Sequence, residues 1–181
     1  MTTVPAAHHE VLRAARAADV PLLQEIEREA GEVFRLVGMD AVAQDEPLDL
    51  EVLRTYVEAN RAWVGVDQSN RPVAYLLIDV VGGCGHVQQV SVAPSHARKG
   101  LGRLLLDHAA AWARREGLPA LTLTTFAEVA WNAPYYERCG FRRLVPDELT
   151  EGLLRLRREE AEHGLDAWPR VCMLRPLVSA S

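Results

Sequence analysis

Cysteine is scarce in this chain, with three widely spaced residues, Cys84, Cys139 and Cys172, among 181. Because the number is odd and no CxxC pair is present, the sequence predicts neither a disulfide framework nor a structural zinc site. The histidines other than His86 show no ligand spacing either, so no metal is expected. Reduced, buried thiols are the simplest interpretation.

Long apolar runs and an excess of positive charge are also missing. No stretch is long and apolar enough to cross a membrane, and residues 1–10 lack the basic segment and apolar run of a secretory signal. The formal net charge of -5 argues against a general affinity for nucleic acid, although a local basic cluster can still bind a small polyanion. We expect a cytoplasmic protein that contacts neither membrane nor nucleic acid.

The composition that remains is that of a globular protein, with 49% hydrophobic and 25% charged residues. A length of this order suits one domain with a proper core. No repeat and no low-complexity linker interrupts the chain. We expect a loose tail over residues 1–9 and a single domain over residues 10–176.

Periodicity predicts an alternation of strands and helices. A first helix follows Asp19 as N-cap, and a second follows Asp49, whereas residues 38–47 show no period. A strongly apolar helical face over residues 101–116 ends at Gly117. The remaining helices are expected over residues 134–139 and 147–163. Strands are expected over residues 10–15, 62–66, 73–81, 86–92, 121–125, 141–144 and 170–174.

The junction between the strand at 86–92 and the helix at 101–116 is basic and bears glycine. Gly100 and Gly102 let backbone N–H groups approach a phosphate, and the helix start adds about half a positive charge. Full charges come from Arg98, Lys99 and Arg103. A glycine pair at a helix start can also be a simple turn. It is neither a Rossmann fingerprint nor a P-loop, because the third glycine and the GK[ST] ending are absent.

This junction resembles motif A of the GNAT acetyltransferases, an apolar strand and a proline-bearing turn followed by [Q/R]xxGx[G/A] and an amphipathic helix. Lys99-Gly100-Leu101-Gly102 matches the end of that pattern. Ala97 departs from it, because it occupies the usual Gln or Arg position. The resemblance implies that the cofactor is bound by Val90, Val92, Arg98, Lys99, Gly100, Leu101, Gly102 and Arg103.

A second segment, residues 132–141, resembles motif B of the same family. It begins with Asn132, and Tyr136 stands four residues before the pair Gly140-Phe141. That pair opens a predicted strand. The resemblance implies an α/β (α+β) GNAT fold, with a mixed, mostly antiparallel sheet of six to seven strands that is splayed between strands 4 and 5 and flanked by helices. It also implies acetyl-CoA as co-substrate, with its pantetheine arm between the splayed strands.

The resemblance further implies three roles at the reaction centre. The backbone N–H of Val90 is expected to bind the carbonyl oxygen as it becomes an oxyanion, and backbone groups of Val92 to hold the pantetheine amide. Tyr136 is expected to protonate the departing thiolate, although it can equally pack against Phe141. Asn132 is expected either to bind the cofactor or to cap the helix that follows.

The general base is open, because the strand at 86–92 carries no carboxylate. Alternation along a regular strand puts His86, Gln88 and Val90 on one face, and an imidazole with a pKa of ~6.5 suits proton transfer. His86 can also be an ordinary sheet residue. Glu29, Glu32 and a relay of protons through water are the alternatives.

The acceptor is the least determined part of the prediction. Five residues are expected to line its pocket or to belong to the core: Phe34, Met39, Phe126, Trp131 and Trp168. Four acidic residues attract a cationic amine or form a solvated face: Glu29, Glu32, Asp40 and Asp45. We expect acetylation of a primary amine of a small molecule. A protein N-terminus or lysine, or an acyl-CoA sensor without catalysis, are the alternatives, and a homodimer is compatible with each.

Overall fold

The computed structural model describes residues 11–177. The predicted tail over residues 1–9 lies outside the described residues. Seven strands form one sheet in the order β1-β2-β3-β4-β5-β7-β6, in which only β4 and β5 run parallel. Their bounds are β1 (Leu12–Ala14), β2 (Ala62–Val66), β3 (Pro72–Val81), β4 (Cys84–Val92), β5 (Ala120–Phe126), β6 (Arg142–Arg143) and β7 (Arg170–Pro176). The predicted mixed, mostly antiparallel sheet is confirmed.

Helices cover both faces of this sheet. They are α1 (Val20–Gly31), α2 (Asp40–Ala43), α3 (Leu50–Glu58), α4 (Leu101–Arg115), α5 (Ala133–Arg138) and α6 (Glu151–Glu162). α2 falls where the sequence shows no period, because a single turn is too short to display one. α6 begins later than predicted, since residues 146–148 form a 3-10 turn and the Thr150 hydroxyl accepts a hydrogen bond from the Leu153 N–H at 3.3 Å.

Asp19 precedes α1 as predicted but does not cap it with its side chain. Its carboxylate accepts hydrogen bonds from the Arg13 guanidinium at 2.7 Å and from the Arg16 N–H at 2.7 Å. Burial alone raises the pKa of this carboxyl, but the bonds from the two arginines outweigh burial and hold the pKa below its ordinary value. The ion pair fastens β1 to the turn before α1.

β4 and β5 diverge soon after they start. They pair only at Gly85 with Leu121 and at His86 with Thr122, close to the beginning of each strand. Beyond these pairs the edge of β4 that faces β5 has no strand partner, so a gap opens toward the carboxyl ends of both strands. The predicted splay between strands 4 and 5 is confirmed, and its closed end lies at His86.

A β-bulge interrupts β4 within this gap. Leu77 pairs with Gln89, and the next residue of β3, Ile78, pairs with Val87, which leaves Gln88 as the extra residue. A bulge of this kind shifts the alternation of side chains by one position. The face of β4 under α4 therefore carries odd-numbered residues such as Val87 before the bulge and even-numbered residues such as Val90 after it.

The bulge corrects the predicted face of His86. Residues opposite each other in an antiparallel pair share a face. Val90 lies opposite Leu76 in the core under α4, whereas His86 lies opposite Asp79 on the other face. The expectation that His86, Gln88 and Val90 share one face is wrong, because strict alternation does not hold across Gln88.

Two cores stabilise the sheet, one on each face. The first packs α4 against the sheet through Leu105, Leu106 and Ala109, which are fully buried. The second packs α1 and α3 against the opposite face through Leu23 and Leu53. Among residues 11–177, no helix has the length and apolar composition of a membrane span.

Candidate active site

The turn before α4 presents a run of unpaired backbone amides. Arg98 and Gly100 adopt positive φ angles of 60° and 82°, which turn successive N–H groups outward. Within the described residues, the amides of residues 98–103 donate to no backbone carbonyl, and the first to do so is Leu104, to Gly100 at 3.0 Å. Consecutive free amides at a helix N-terminus form a binding site for phosphate. We call residues 97–103 the phosphate loop.

Three cations surround this phosphate loop. Arg98, Lys99 and Arg103 are exposed, and none of them lies within salt-bridge distance of a carboxylate in the part of the chain that the structure describes. Arg103 instead donates to the backbone carbonyl of Arg138 at 3.4 Å, which brings a further cation beside the loop. Ala97 supplies no side-chain donor. The charges needed to hold a diphosphate are nevertheless present.

α5 closes against the phosphate loop through Tyr135. A Cβ atom added at Gly102 lies only 2.8 Å from the Tyr135 hydroxyl and 3.8 Å from Val92, so glycine is what allows this close approach. The Arg138 guanidinium lies 5.8 Å from the centre of the Tyr135 ring. Sequence reasoning gave Tyr135 no part in the site and missed that its hydroxyl reaches the loop. Arg138, one turn further along α5, is a further cation near the loop that the sequence analysis overlooked.

Asn132 sits at the start of α5 with an unsatisfied side chain. It is the N-cap residue, but its side chain accepts no capping hydrogen bond. Its Oδ1 is buried and has no partner among residues 11–177. A buried acceptor left unpaired costs about 1–3 kcal/mol. Of the two interpretations of Asn132, the geometry favours a ligand contact over capping.

Tyr136 is compatible with both roles that the sequence left open. Its ring packs edge-on against Tyr135 and Phe141, with centroids 5.5 and 5.9 Å apart. Burial above all, then the neighbouring Tyr135 and Cys139, raise the pKa of Tyr136 well above its ordinary value. The phenol is thus protonated at neutral pH, as a proton donor must be. Packing and proton donation are compatible here.

His86 lies at the closed end of the gap and is 3% exposed. Its Nδ1 is 2.9 Å from the Thr122 hydroxyl. Burial lowers the pKa of His86 to about 4, although the negative charges of Asp79 and Glu160 act in the opposite direction. The expected value of ~6.5 is wrong because burial penalises the imidazolium ion. The ring is neutral at physiological pH, and its role as base stays a prediction.

The carboxylates of α1 and of the 3-10 helix that follows it divide into exposed and half-buried groups. Glu29 and Glu32 are exposed, and Glu32 is paired with the Arg35 Nε at 2.8 Å. Glu27 was missed by sequence reasoning, yet it accepts a hydrogen bond of 2.6 Å from the buried Tyr75 hydroxyl. Burial raises the pKa of Glu27 despite this bond. The sequence does place Glu27 directly after Ile26, within the apolar stripe of α1, and a charged residue at such a position indicates a special role.

The five residues expected at the acceptor side lie in one cluster. We define the aromatic cluster as Phe34, Met39, Phe126, Val129, Trp131 and Trp168, with Val42 and Leu165 at its edge. Phe34 packs edge-on against Phe126 at 5.6 Å and against Trp131 at 5.7 Å, and Phe126 packs against Trp168 at 6.2 Å. The 3-10 helix at Glu32–Val37 is thereby held over the end of β5.

A half-buried ion network borders the aromatic cluster, and no sequence pattern indicates it. Glu160 on α6 accepts hydrogen bonds from Arg170 at 3.1 Å, from Arg157 at 2.5 Å and from Thr124. Arg170 also lies 4.5 Å above the Phe126 ring. These bonds outweigh burial and lower the pKa of Glu160, so the carboxylate stays charged. The network fixes α6 and β7 beside the acceptor side of β5.

Metal ligands do not converge in this region. Among residues 11–177, no three His, Cys, Asp or Glu side chains come close enough to hold a metal ion. The expectation of a metal-free site stays a prediction. The donor atoms of the site are backbone amides, arginines, a lysine and phenols, which suit phosphate groups and not divalent cations.

Solved structures share this fold at low sequence identity. N-acetylglutamate synthase from Neisseria gonorrhoeae, complexed with coenzyme A and N-acetyl-glutamate, is 17% identical with a TM-score of 0.67 over 93% of this chain. This chain spans only 35% of that protein. Rv2747 from Mycobacterium tuberculosis, in complex with CoA, is 20% identical with a TM-score of 0.67, covering 93% of this chain and 99% of that one.

A third structure is the ribosomal-protein-S18-alanine N-acetyltransferase from Escherichia coli. It is 19% identical with a TM-score of 0.63, and the match covers 94% of this chain and 95% of that one. At these identities the likeness establishes the fold. The model of the Acetyltransferase (GNAT) family matches residues 22–141, which include the phosphate loop and α5. The chain belongs to the GNAT family of acetyltransferases.

Proposed function

We propose that this protein transfers the acetyl group of acetyl-CoA directly to a primary amine of an acceptor, most simply a small molecule. The observation that carries the proposal is the phosphate loop, at the open end of the gap between β4 and β5. Within residues 11–177 its amides at 98–103 donate to no backbone carbonyl, and its three cations form no salt bridge. A diphosphate bound there directs the rest of the cofactor into the gap. CoA-bound structures with the same fold support this placement.

The residues of the gap suit the pantetheine arm. Because the edge of β4 that faces β5 has no strand partner beyond His86 within the described residues, its backbone offers hydrogen bonds to an extended amide chain, as an added strand does. In this proposal Val90 and Val92 supply those groups. The Asn132 Oδ1 needs a donor, and the amide and hydroxyl groups of the arm provide one. Bound acetyl-CoA supplies the reactive thioester.

The chemistry then needs three contributions from the chain. The Val90 N–H stabilises the negative charge that develops on the carbonyl oxygen. The amine nitrogen forms a bond to the acetyl carbon, the carbon–sulfur bond breaks, and Tyr136 gives its proton to the departing sulfur. The proton lost by the amine leaves through water and restores the phenol.

His86 keeps a limited part in this scheme. With a pKa of about 4 it is neutral whenever the amine can react, so it can accept a proton but not hold it. We propose that His86 passes protons to water and orders the closed end of the gap through Thr122. A carboxylate on β4 is not needed if water carries the proton away.

Two alternatives have their own support. A protein N-terminus as acceptor is favoured by the match to the Escherichia coli enzyme, which covers 95% of that chain. A sensor that binds acyl-CoA without turnover is favoured by the absence of a carboxylate on β4. A cytoplasmic location and a homodimer remain our predictions.

Release of free CoA in the presence of a panel of amines tests the proposal. We expect the wild-type protein to release CoA with at least one primary amine, and Tyr136→Phe to bind acetyl-CoA normally while losing turnover. Tight binding of acetyl-CoA without turnover of any amine, and identical behaviour of Tyr136→Phe, would contradict the enzyme and support the sensor.

A further inference from the structure

One hydrogen-bond donor in the aromatic cluster has no partner. The Trp131 Nε1 is buried and unpaired among residues 11–177, although part of the residue is exposed. An indole N–H can only donate, and a donor sealed from water is unfavourable unless an acceptor pairs with it. The position of this atom therefore points to an acceptor atom supplied by a ligand.

The side of the sheet on which Trp131 lies indicates which ligand this is. Trp131 packs edge-on against Phe34, which in turn packs against Phe126 of β5. Leu121 and Leu123 of the same strand belong to the core under α4, so Phe126, on the other face, lies opposite the phosphate-loop helix. We therefore take the Trp131 N–H to face the acceptor and not the cofactor.

The arginines around the aromatic cluster are already paired. Arg35 binds both Glu32 and Asp40, at 2.8 and 3.2 Å. Arg157 binds Glu160 and Asp166, at 2.5 and 2.6 Å. A free carboxylate on the acceptor needs an unpaired arginine, so an anionic acceptor is not favoured. The cluster therefore suits a neutral hydrogen-bond acceptor with an apolar body.

We propose that Trp131 Nε1 donates to the carbonyl oxygen that adjoins the acceptor's amino group, while Phe34, Phe126 and Trp168 contact its apolar side chain. Trp131 is the chain neighbour of Asn132, whose Oδ1 is assigned above to the cofactor, so the carbonyl lies near the reacting end. The substrate class is an apolar α-amino carbonyl compound, either an amino-acid amide or the first residue of a peptide. This inference rests on the proposed acetyl transfer.

Matched acceptors test this role of Trp131. Phenylalaninamide and phenethylamine share the ring and the amine, but only the amide has the adjoining carbonyl. We expect Trp131→Phe, which keeps the aromatic contact and removes the N–H, to lower the ratio of their kcat/KM values about 10- to 100-fold. The two amines differ in basicity, but that difference acts equally on both enzymes and cancels in the comparison.

Controls separate this effect from damage to the fold. Trp112→Phe on α4 makes the same chemical change outside the site and should leave the ratio unchanged. CoA affinity and the thermal midpoint of Trp131→Phe should match those of the wild type. A short amidated peptide that begins with phenylalanine distinguishes the two sources of the substrate by its kcat/KM relative to phenylalaninamide.

Each failure has its own signature. An unchanged ratio in Trp131→Phe, a preference of the wild type for spermidine, or weaker CoA binding by Trp131→Phe overturns the role of Trp131 while acetyl transfer stands. A wild-type protein that binds CoA but turns over none of these amines contradicts the proposed function itself.

Discussion

The gap between β4 and β5 is bordered by two regions of different construction, which we call the cofactor end, at the phosphate loop, and the acceptor end, at the aromatic cluster. At the cofactor end, backbone amides of one continuous turn provide the contacts, and glycine makes room for them. At the acceptor end, side chains from five segments meet: the 3-10 helix after α1, α2 with the residue before it, the end of β5, the loop before α5 and the loop before β7. A backbone site depends on local conformation, whereas a side-chain site depends on packing between distant segments.

This difference has a consequence for specificity. Amides at a helix start recognise a diphosphate whatever the neighbouring side chains are, so the phosphate loop tolerates Ala97. Aromatic rings and a single indole N–H recognise shape and one polar atom. Substitutions at the acceptor end should therefore change which amine reacts, and substitutions at the cofactor end should change binding of every acyl donor.

Tyr136→Phe should produce the largest effect, because it removes the proton donor and little else. We expect kcat to fall by about 100- to 10,000-fold, the usual contribution of general acid catalysis. Steady-state kinetics with a reactive amine measures this fall. CoA affinity should stay within about twofold of wild type. If kcat is unchanged, Tyr136 is only a packing residue.

Gly102→Val should weaken the cofactor end alone. The new side chain meets the Tyr135 hydroxyl, which lies 2.8 Å from the position of the Cβ, and it crowds the phosphate loop. Loss of two charge-assisted hydrogen bonds should reduce CoA affinity at least about 100-fold in isothermal titration calorimetry. Gly117→Ala, at the other end of α4, is the control for loss of a glycine. Wild-type affinity in Gly102→Val would place the diphosphate elsewhere.

Phe34→Ala should weaken the acceptor end alone. Phe34 contacts both Phe126 and Trp131 and is half-buried. Removing its ring should raise KM for phenylalaninamide by roughly 10-fold, as expected for a partly buried phenylalanine, and leave CoA affinity unchanged. A parallel loss of CoA affinity would show that the two ends are not separate sites.

His86→Gln should alter the pH dependence of stability. The pKa of His86 is lower in the folded protein, about 4, than its ordinary value of 6.5, so the unfolded chain binds a proton first as pH falls. Wild-type stability should therefore fall below pH 6.5, by about 2 kcal/mol at pH 5. Chemical denaturation of both proteins at pH 7.5 and 5 measures this loss of unfolding free energy, which His86→Gln should not show. Equal losses in both would show that His86 is not buried as a neutral ring.

The cofactor end was predictable because its signals are contiguous in sequence. A strand, a basic turn with Gly100 and Gly102, and an amphipathic helix follow one another within residues 86–116. Local rules for glycine and for helix starts apply directly to such a segment. The mixed, mostly antiparallel sheet and its splay came from the family resemblance, and the structure confirms both.

The sequence predictions were wrong or incomplete where a single residue, or a contact with a distant part of the chain, determines the local structure. Gln88 shifts the alternation of β4, and no local pattern marks a bulge in a strand of polar and β-branched residues. The pKa of His86 depends on burial by β5 and α6, which are far along the chain. The aromatic residues were correctly grouped, but the unpaired Trp131 N–H could be found only from coordinates.

Ligand-dependent thermal unfolding tests the central claim most directly. CoA at about 100 times its Kd should stabilise the fold by about 2.7 kcal/mol and raise the midpoint by roughly 5–10 °C. ATP and NAD contain phosphates but no pantetheine arm for the gap between β4 and β5, so they should shift the midpoint far less. A shift with ATP or NAD equal to that with CoA, or no shift with CoA, would contradict the account.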